Sequence, residues 1–528
     1  MSTSAATARR PRVDLFELAL LAGFAAVALW VLGLDLWQVV VNGRHWTGTD
    51  GLFLTDQMQY LAWIQDASRH LLASNLFVLH RTPTDYFQPL VAISGGFTAI
   101  GVPAWLVLLL WKPVAVLCAF FVIRAYANRC LSGLWERRAA LVLGLFFGSW
   151  GVLGDLWLPL WSWGYPFGLI AIAALAGALL LYDRARTARR LAWGPALLGA
   201  LASSLHPWQG EILIVIVIGA EVVLWAQAWR SGEADVVAGL FRRRSTKFRR
   251  IELPIITVLA TALPLAYLAI LGRVDLSWGL ARQASHHSFP LASVVIAIAP
   301  LLLAAAFAGR THTRDFMAVA TRVWLPAALA VYLVSATSLS ATPLHAFAGI
   351  TIPLGVLGVE GVQRAGWRRV PGRVALGALA IAAATIPATV YEMRIAPDYM
   401  GPARTNANFI SAGMQSALDY LSDDPHPGGV LTRGYLGVIV PAETGRNTYV
   451  GGCQWSQPNC SGRIVGAERL FAGTQAAPVA RAFVLGTTAR FVLSGCGWGP
   501  DISHVLAPIA SSVHRFGCAT VYTIRAEG

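Results

Sequence analysis

The stretch Leu54–His70, LTDQMQYLAWIQDASRH, keeps a helical rhythm and carries acids at Asp56 and Asp66 directly after the first long apolar run. Met58, Leu61, Ile64, Leu71 and Leu72 make an imperfect apolar stripe, with Gln59, Asp66, Arg69 and His70 facing elsewhere. That spacing predicts a helix lying along a membrane surface. Asp56 would head it at the boundary of water and lipid headgroups, where a half-desolvated carboxylate can have a raised proton affinity. The structural alternative is a capping box of Asp56 and Gln59, worth about 1 kcal/mol, and one residue can serve in both roles. Other chemically able side chains fall in short clusters: His80 and Arg81 before TPTDYFQP, Asp155 in LGDLWLPLWSWGYPFG, His206 and Glu211 around HPWQGE, His345 in TPLHAFAG, and Arg273, Arg282, His286 and His287 in GRVDLSWGLARQASHHSFP. The patterns GxxxxGK, HExxH, GxSxG and paired CxxC are absent, so nucleotide hydrolysis, zinc proteolysis and serine hydrolysis all lack their marks.

What must position these residues is a membrane. The chain has 528 residues, 56% hydrophobic content, 13% charge and a mean hydropathy of +0.57, far outside the range of a soluble globular protein. A net charge of +14 could mark a nucleic-acid binder, but the basic residues are scattered between apolar runs instead of sharing a face. Eleven segments approach the roughly 20 apolar residues of a span: 15–34, 102–123, 139–154, 166–182, 191–205, 212–229, 253–272, 290–309, 323–340, 347–362 and 373–391. The first has no small-residue cleavage site and reads as a retained helix. Segments 1–14, 124–138, 183–190, 230–252, 310–322 and 363–373 hold 25 lysines and arginines, whereas the opposite loops hold five, Arg44, Arg69, Arg81, Arg273 and Arg282. The positive-inside rule then places the N-terminus in the cytoplasm. The expected location is the cytoplasmic membrane, with residues 35–101 as the longest external loop and residues 392–528 outside.

In that tail the apolar runs shorten to strand length and alternate with helical stretches, separated by turn signals such as DDPHPGG, as in a small α/β domain. Cys453, Cys460, Cys496 and Cys518 all lie there, and four cysteines in an oxidising compartment read as two disulfides. Of three connectivities, the local pairs Cys453 with Cys460 and Cys496 with Cys518 are expected. Zinc is the alternative, without a CxxC pair to support it. Lys112 is out of place inside the second span, where the adjacent Pro113 and a nearby carboxylate partner would make it structural.

An acid-headed juxtamembrane helix after the first span, many further spans and an external α/β tail together resemble the GT-C class of polyprenyl-phosphate-sugar-dependent glycosyltransferases. TDQMQYLAWIQDA is similar to the opening of that class, and LHPWQGE, HHSFPLASVVIAIAPLL, LHAFAGITIPLGVLG and VPAETGRNTYVGGCQW look like segments of uncharacterised bacterial members. The resemblance implies a polytopic α-helical membrane protein of about 11 transmembrane helices, residues 1–391, with an extracytoplasmic α/β domain at 392–528. It implies an inverting transfer of sugar from a polyprenyl-phosphate donor to an envelope glycan, lipid or protein. Asp56 would be the base and Asp155 a second acid. Arg282, Arg273, His286 and His287, with His80 and Arg81 as a second patch, would hold the donor phosphate, and His206, Glu211 and His345 are further candidates. The bland readings are solvated loop charges for these cations and an interfacial belt for Trp157, Trp161, Trp163 and Tyr165. Gln57 stands where many members carry a second acid; a divalent metal is compatible with the class, and no other cofactor is called for. The competing classes are a transporter or flippase, for which the two halves show no internal repeat, and a non-catalytic membrane scaffold.

Overall fold

The first apolar run forms two helices, α1 (Leu15–Ala28) and α2 (Trp30–Val40), bent by 57° at Leu29. The Val27 carbonyl at the break accepts the indole N–H of Trp163, an inserted partner of the kind that kinks helices. The computed structural model describes residues 14–148, 154–231, 251–286, 288–309, 314–337, 342–403, 406–497 and 499–525. His287, nearly all of the basic segments 1–14 and 230–252, and residues 310–313 of segment 310–322 lie outside the described residues.

After a two-residue strand β1 (His45–Trp46) come α3 (Leu54–His70) and α4 (Pro89–Ala99), both in the long first loop. There follow α5 (Ala104–Cys130), α6 (Leu134–Phe146), α7 (Leu158–Gly164), α8 (Pro166–Thr187), α9 (Gly194–Leu205) and α10 (Pro207–Arg230). The helical part is completed by α11 (Glu252–Val274), α12 (Leu276–Ala284), α13 (Leu291–Ala306), α14 (Phe316–Ser335), α15 (Thr351–Arg364) and α16 (Arg373–Met400). Among the described residues six helices, α5, α8, α10, α11, α14 and α16, are long and apolar enough to cross a membrane, and the bent pair makes a seventh. This is a multi-pass membrane protein.

Each of the eleven expected segments contains a helix among the described residues, but α6, α9, α13 and α15 run only 13, 12, 16 and 14 residues. Apolar residues in the joints had extended the hydropathy signal past the helix ends: α9 stops at His206 because Pro207 starts α10, and a 3₁₀ turn, Pro343–Phe347, precedes α15. The centre of the bundle is α8, with 94% of its apolar window buried and α5 and α9 against it.

The helix α3 departs from expectation. Nine of its residues are buried, including the polar Gln57, Gln59 and Asp66, so it does not lie flat on a lipid surface. It stands between α4 and the C-terminal region. Nor does Asp56 cap it: the cap position is Phe53, and Asp50 Oδ1 accepts the amides of Leu52 and Phe53.

Downstream of β2 (Phe409–Ile410), which pairs antiparallel with β1, the tail forms α17 (Ala412–Asp423), β3 (Val430–Leu431), α18 (Gly434–Gly437), α19 (Val440–Thr444), α20 (Cys460–Phe471), α21 (Ala477–Gly486), β4 (Phe491–Ser494), β5 (Ala510–Phe516) and β6 (Ala519–Ile524). The sheet order is β3-β4-β6-β5, with β3 parallel to β4 and the remaining pairs antiparallel. Cys453 is bonded to Cys460 and Cys496 to Cys518. The tail is joined to the first loop by Trp455 Nε1 donating to Gln59, Asn75 Nδ2 to the Trp455 carbonyl, the Thr448 amide to the Leu76 carbonyl and Asn447 Nδ2 to the Val78 carbonyl. Loop and tail therefore lie on one side of the bundle, so an even number of crossings separates them.

Candidate active site

Two proline joints shape the site. Proline restricts the residue before it to extended backbone, and Tyr165 (φ −131°) before Pro166 and His206 (φ −153°) before Pro207 are both held at such helix-to-helix joints. The Tyr165 hydroxyl donates to Asp56 Oδ2 at 2.6 Å, and the Phe53 ring lies 4.7 Å from the tyrosine ring. Asp56 Oδ1 has no hydrogen-bond partner among the described residues, and Asp56 lines a cavity of about 330 Å³ with Gly51–Thr55 and Asn406. Burial raises the proton affinity of Asp56; the Tyr165 hydrogen bond and the nearby His345 oppose that shift.

His345 connects this carboxylate to a second one. Its Nε2 is 3.3 Å from Asp155 Oδ2 and its Nδ1 is 3.3 Å from His206 Nε2. His345 Nε2 is thus at ion-pair distance from Asp155, and Nδ1 accepts from a His206 N–H or donates to it according to the tautomers of the two rings. Trp161 holds the array together: its Nε1 donates to the Asp155 carbonyl at 2.9 Å, and its ring meets those of His206 and His345 at 5.0 and 5.5 Å. Trp208 closes the other side, 4.7 Å from His345.

Beneath the first turn of α3 is a buried polar network. Gln57 Nε2 donates to Asp50 Oδ2 and to the Trp163 carbonyl, and the Asp50 amide donates back to Gln57 Oε1. Lys112 Nζ donates to the same Trp163 carbonyl at 2.7 Å and lies 3.6 Å from Asp50 Oδ2, which supplies the nearby carboxylate partner. Asp35 of α2, within electrostatic reach of both, has no partner of its own among the described residues.

The structure thus brings Asp56, Asp155, His206 and His345 together and leaves the other candidates apart. Arg273 ends α11 and Arg282 sits in the last turn of α12, both exposed, and no hydrogen bond or ion pair joins them to Asp56 among the described residues. The ring of Trp278 seats α12 on Tyr86 and Trp63, at 4.3 and 5.5 Å. His80 and His286 are exposed, Arg81 lines a different cavity, and Glu211 has no hydrogen bond or ion pair among the described residues. Trp157, Trp161 and Trp163 are at most 2% exposed, so they are core and not a lipid-facing belt. Sequence reasoning missed Tyr165, Asp50 and the bonding role of Gln57; the aromatic-proline joint was the available signal for the first. Among the described residues no three His, Cys, Asp or Glu side chains converge on a metal position. Asp155 is matched to His345 and Asp56 to Tyr165, so the arrangement does not fit a metal cage.

No protein-family model matches the chain, and no curated protein matches it. Solved structures do match by fold. The Archaeoglobus fulgidus oligosaccharyltransferase in its apo form aligns with a TM-score of 0.53 at 13% identity, over 92% of this chain and 70% of that one. The same archaeal enzyme, AglB, in complex with an inhibitory peptide and a dolichol-phosphate, gives 0.50 at 15% identity over 91% and 69%. The mycobacterial arabinofuranosyltransferase AftD gives 0.51 at 16% identity over 96% and 42%. All are membrane glycosyltransferases of the GT-C class. The chain has the GT-C fold. Within this fold the acid-bearing turn of α3, the α7–α8 joint, the α9–α10 joint and the 3₁₀ turn before α15 meet at one place, although they are spread over nearly 300 residues of sequence.

Proposed function

We propose that the chain is a glycosyltransferase of the cytoplasmic membrane that moves a sugar from a polyprenyl-phosphate donor to an envelope acceptor on the external face. The observation that carries this reading is Asp56: a half-buried carboxylate with one oxygen fixed by Tyr165 and the other without a partner among the described residues, at the edge of a cavity. The acceptor hydroxyl gives its proton to Asp56 Oδ1 as its oxygen attacks the anomeric carbon. The bond from that carbon to the phosphate oxygen breaks, and the polyprenyl phosphate leaves with the electron pair, so the configuration inverts in one displacement. His345, backed by His206 and paired with Asp155, is the imidazole nearest Asp56 in this array and is assigned to the charge growing on the leaving phosphate. We assign it that role ahead of Arg282 and Arg273, which stand apart. The dolichol-phosphate in the AglB complex supports a lipid-linked donor.

The test is transfer of labelled sugar from a panel of polyprenyl-phosphate donors by membranes containing wild-type protein or Asp56→Asn. Loss of transfer by at least about 100-fold at equal protein abundance is expected, within the range of a removed general base. Unchanged transfer in the variant would reject Asp56 as base, and no wild-type transfer from any donor would reject the reading itself.

A further inference from the structure

At the end of α3 remote from Asp56 lies a second cavity, of about 510 Å³, between loop residues 66–84 and tail residues 422–429 and 444–447. The charges around it are not equally engaged. Asp66 accepts the Ser74 amide and hydroxyl at 2.7 Å each and meets His70 Nδ1 at 3.0 Å, while Asp424 is matched to His426 at 2.9 Å. The guanidinium of Arg446 donates to the carbonyls of Leu421, Asp424, His426 and Gly428, which fixes the turn forming one wall. Arg69 and Arg81, both exposed and both lining the cavity, have no hydrogen bond or ion pair among the described residues. Two disengaged guanidinium groups beside acids that are already matched make this a site for anions, and guanidinium suits carboxylate or phosphate geometry. The wall between them is largely hydroxyl, amide and glycine backbone, so the ligand is hydrophilic.

The distance decides what kind of anion. Asp56 and Arg69 are 13 residues apart on one helix, about 20 Å at 1.5 Å per residue, too far for the reacting hydroxyl. We infer that the cavity is an acceptor subsite for acidic units of a polysaccharide, held by Arg69 and Arg81 several sugars away from the end that reacts at Asp56. This rests on the transferase reading for its role, but its binding chemistry is tested without any donor.

Binding to the purified full-length protein is measured with a six-unit galacturonate oligomer, with an uncharged maltohexaose of equal length, and with glycerol phosphate as a stand-in for a lipid headgroup. The acidic oligomer is expected to bind at least ten-fold more tightly than maltohexaose. Arg69→Gln with Arg81→Gln abolishes that preference, and Arg69→Lys with Arg81→Lys retains part of it, which separates charge from folding. The preference also shrinks as salt rises, as for exposed charges. Equal affinity for the two oligomers, or an unaltered preference in the glutamine variant, would overturn the inference. Glycerol phosphate displacing the acidic oligomer at equal or lower concentration would reassign the cavity to lipid headgroups. In the transfer assay the glutamine variant raises KM for six-unit acidic acceptors by about ten-fold and leaves single-sugar acceptors unaffected. Absence of wild-type transfer from every donor with intact oligomer binding would reject the enzyme reading alone, and transfer without oligomer binding would reject this subsite alone.

Discussion

Lys112→Met tests the network under the catalytic turn. The lysine is 3% exposed, its Nζ lies 3.6 Å from the fully buried Asp50 carboxylate, and methionine nearly matches its length without the charge. At that separation and an effective dielectric of about 20, the lost attraction is about 4–5 kcal/mol, in line with the roughly 3–5 kcal/mol measured when one partner of a buried pair is removed. Asp50 keeps the amides of Leu52 and Phe53 and the Gln57 side chain, and these hold the expected loss to about 3 kcal/mol. The paired change, Lys112→Met with Asp50→Asn, removes both charges and should recover at least half of the loss. Unfolding of the detergent-solubilised protein, followed by tryptophan fluorescence in a denaturant series, measures all three forms. A single variant within about 0.5 kcal/mol of the parent, or a double variant no better than the single, would refute the claim that the pair is coupled. Transfer activity should fall with stability, because Gln57 follows Asp56 directly in the chain.

Tyr165→Phe removes a hydrogen bond to a carboxylate, worth roughly 1.5–3 kcal/mol, so kcat/KM should fall by about 10- to 100-fold. In the parent, the acid limb of the pH profile should lie above the usual carboxylate range, since burial favours protonated Asp56 and the base must be ionised. Because the Tyr165 hydroxyl opposes that shift, its loss should move the limb to higher pH still; a move to lower pH contradicts the assignment. In the tail, burial and then the charge of Asp419 push the Glu443 carboxyl up to about 7 from 4.5. The folded state then holds a proton that the unfolded state releases, and stability declines as pH rises through that window. Glu443→Gln should therefore be more stable than the parent at pH 8, by about 3 kcal/mol, and equal to it at pH 4; a variant less stable at pH 8 would reverse the sign.

Hydropathy and alternating basic loops revealed a bundle of apolar helices because each helix carries that signal in its own composition. The same signal misjudged α3. Gln57, Gln59 and Asp66 look like a solvent face, yet they are buried because Asp50, Trp455 and Ser74 satisfy them, and all three partners lie outside the helix. Arg273 and Arg282 are two of the five cations in the opposite loops, but a count of cations says nothing of direction, and α12 is fixed by Trp278 instead. Asp155, His206 and His345 were recognisable as ionisable residues at outer turns. Their mutual distances were not, since these depend on how α7, α9 and the turn before α15 pack around α8. The bend at Leu29 left no proline or glycine mark, because its partner is an indole from Trp163.

The seam between first loop and tail has a consequence for exchanging parts among related chains. A boundary drawn at residue 392 would cut β1 from β2 and strip Gln59, Asn75, Leu76 and Val78 of their partners. The transplantable module is therefore discontinuous: residues 45–88 travel with the tail as one graft, and the bundle is its host. Substitutions on either side of that seam are expected to be inherited in matched sets, so the tail and the helix bearing the proposed base diverge together even though 380 residues of sequence lie between Asn75 and Trp455.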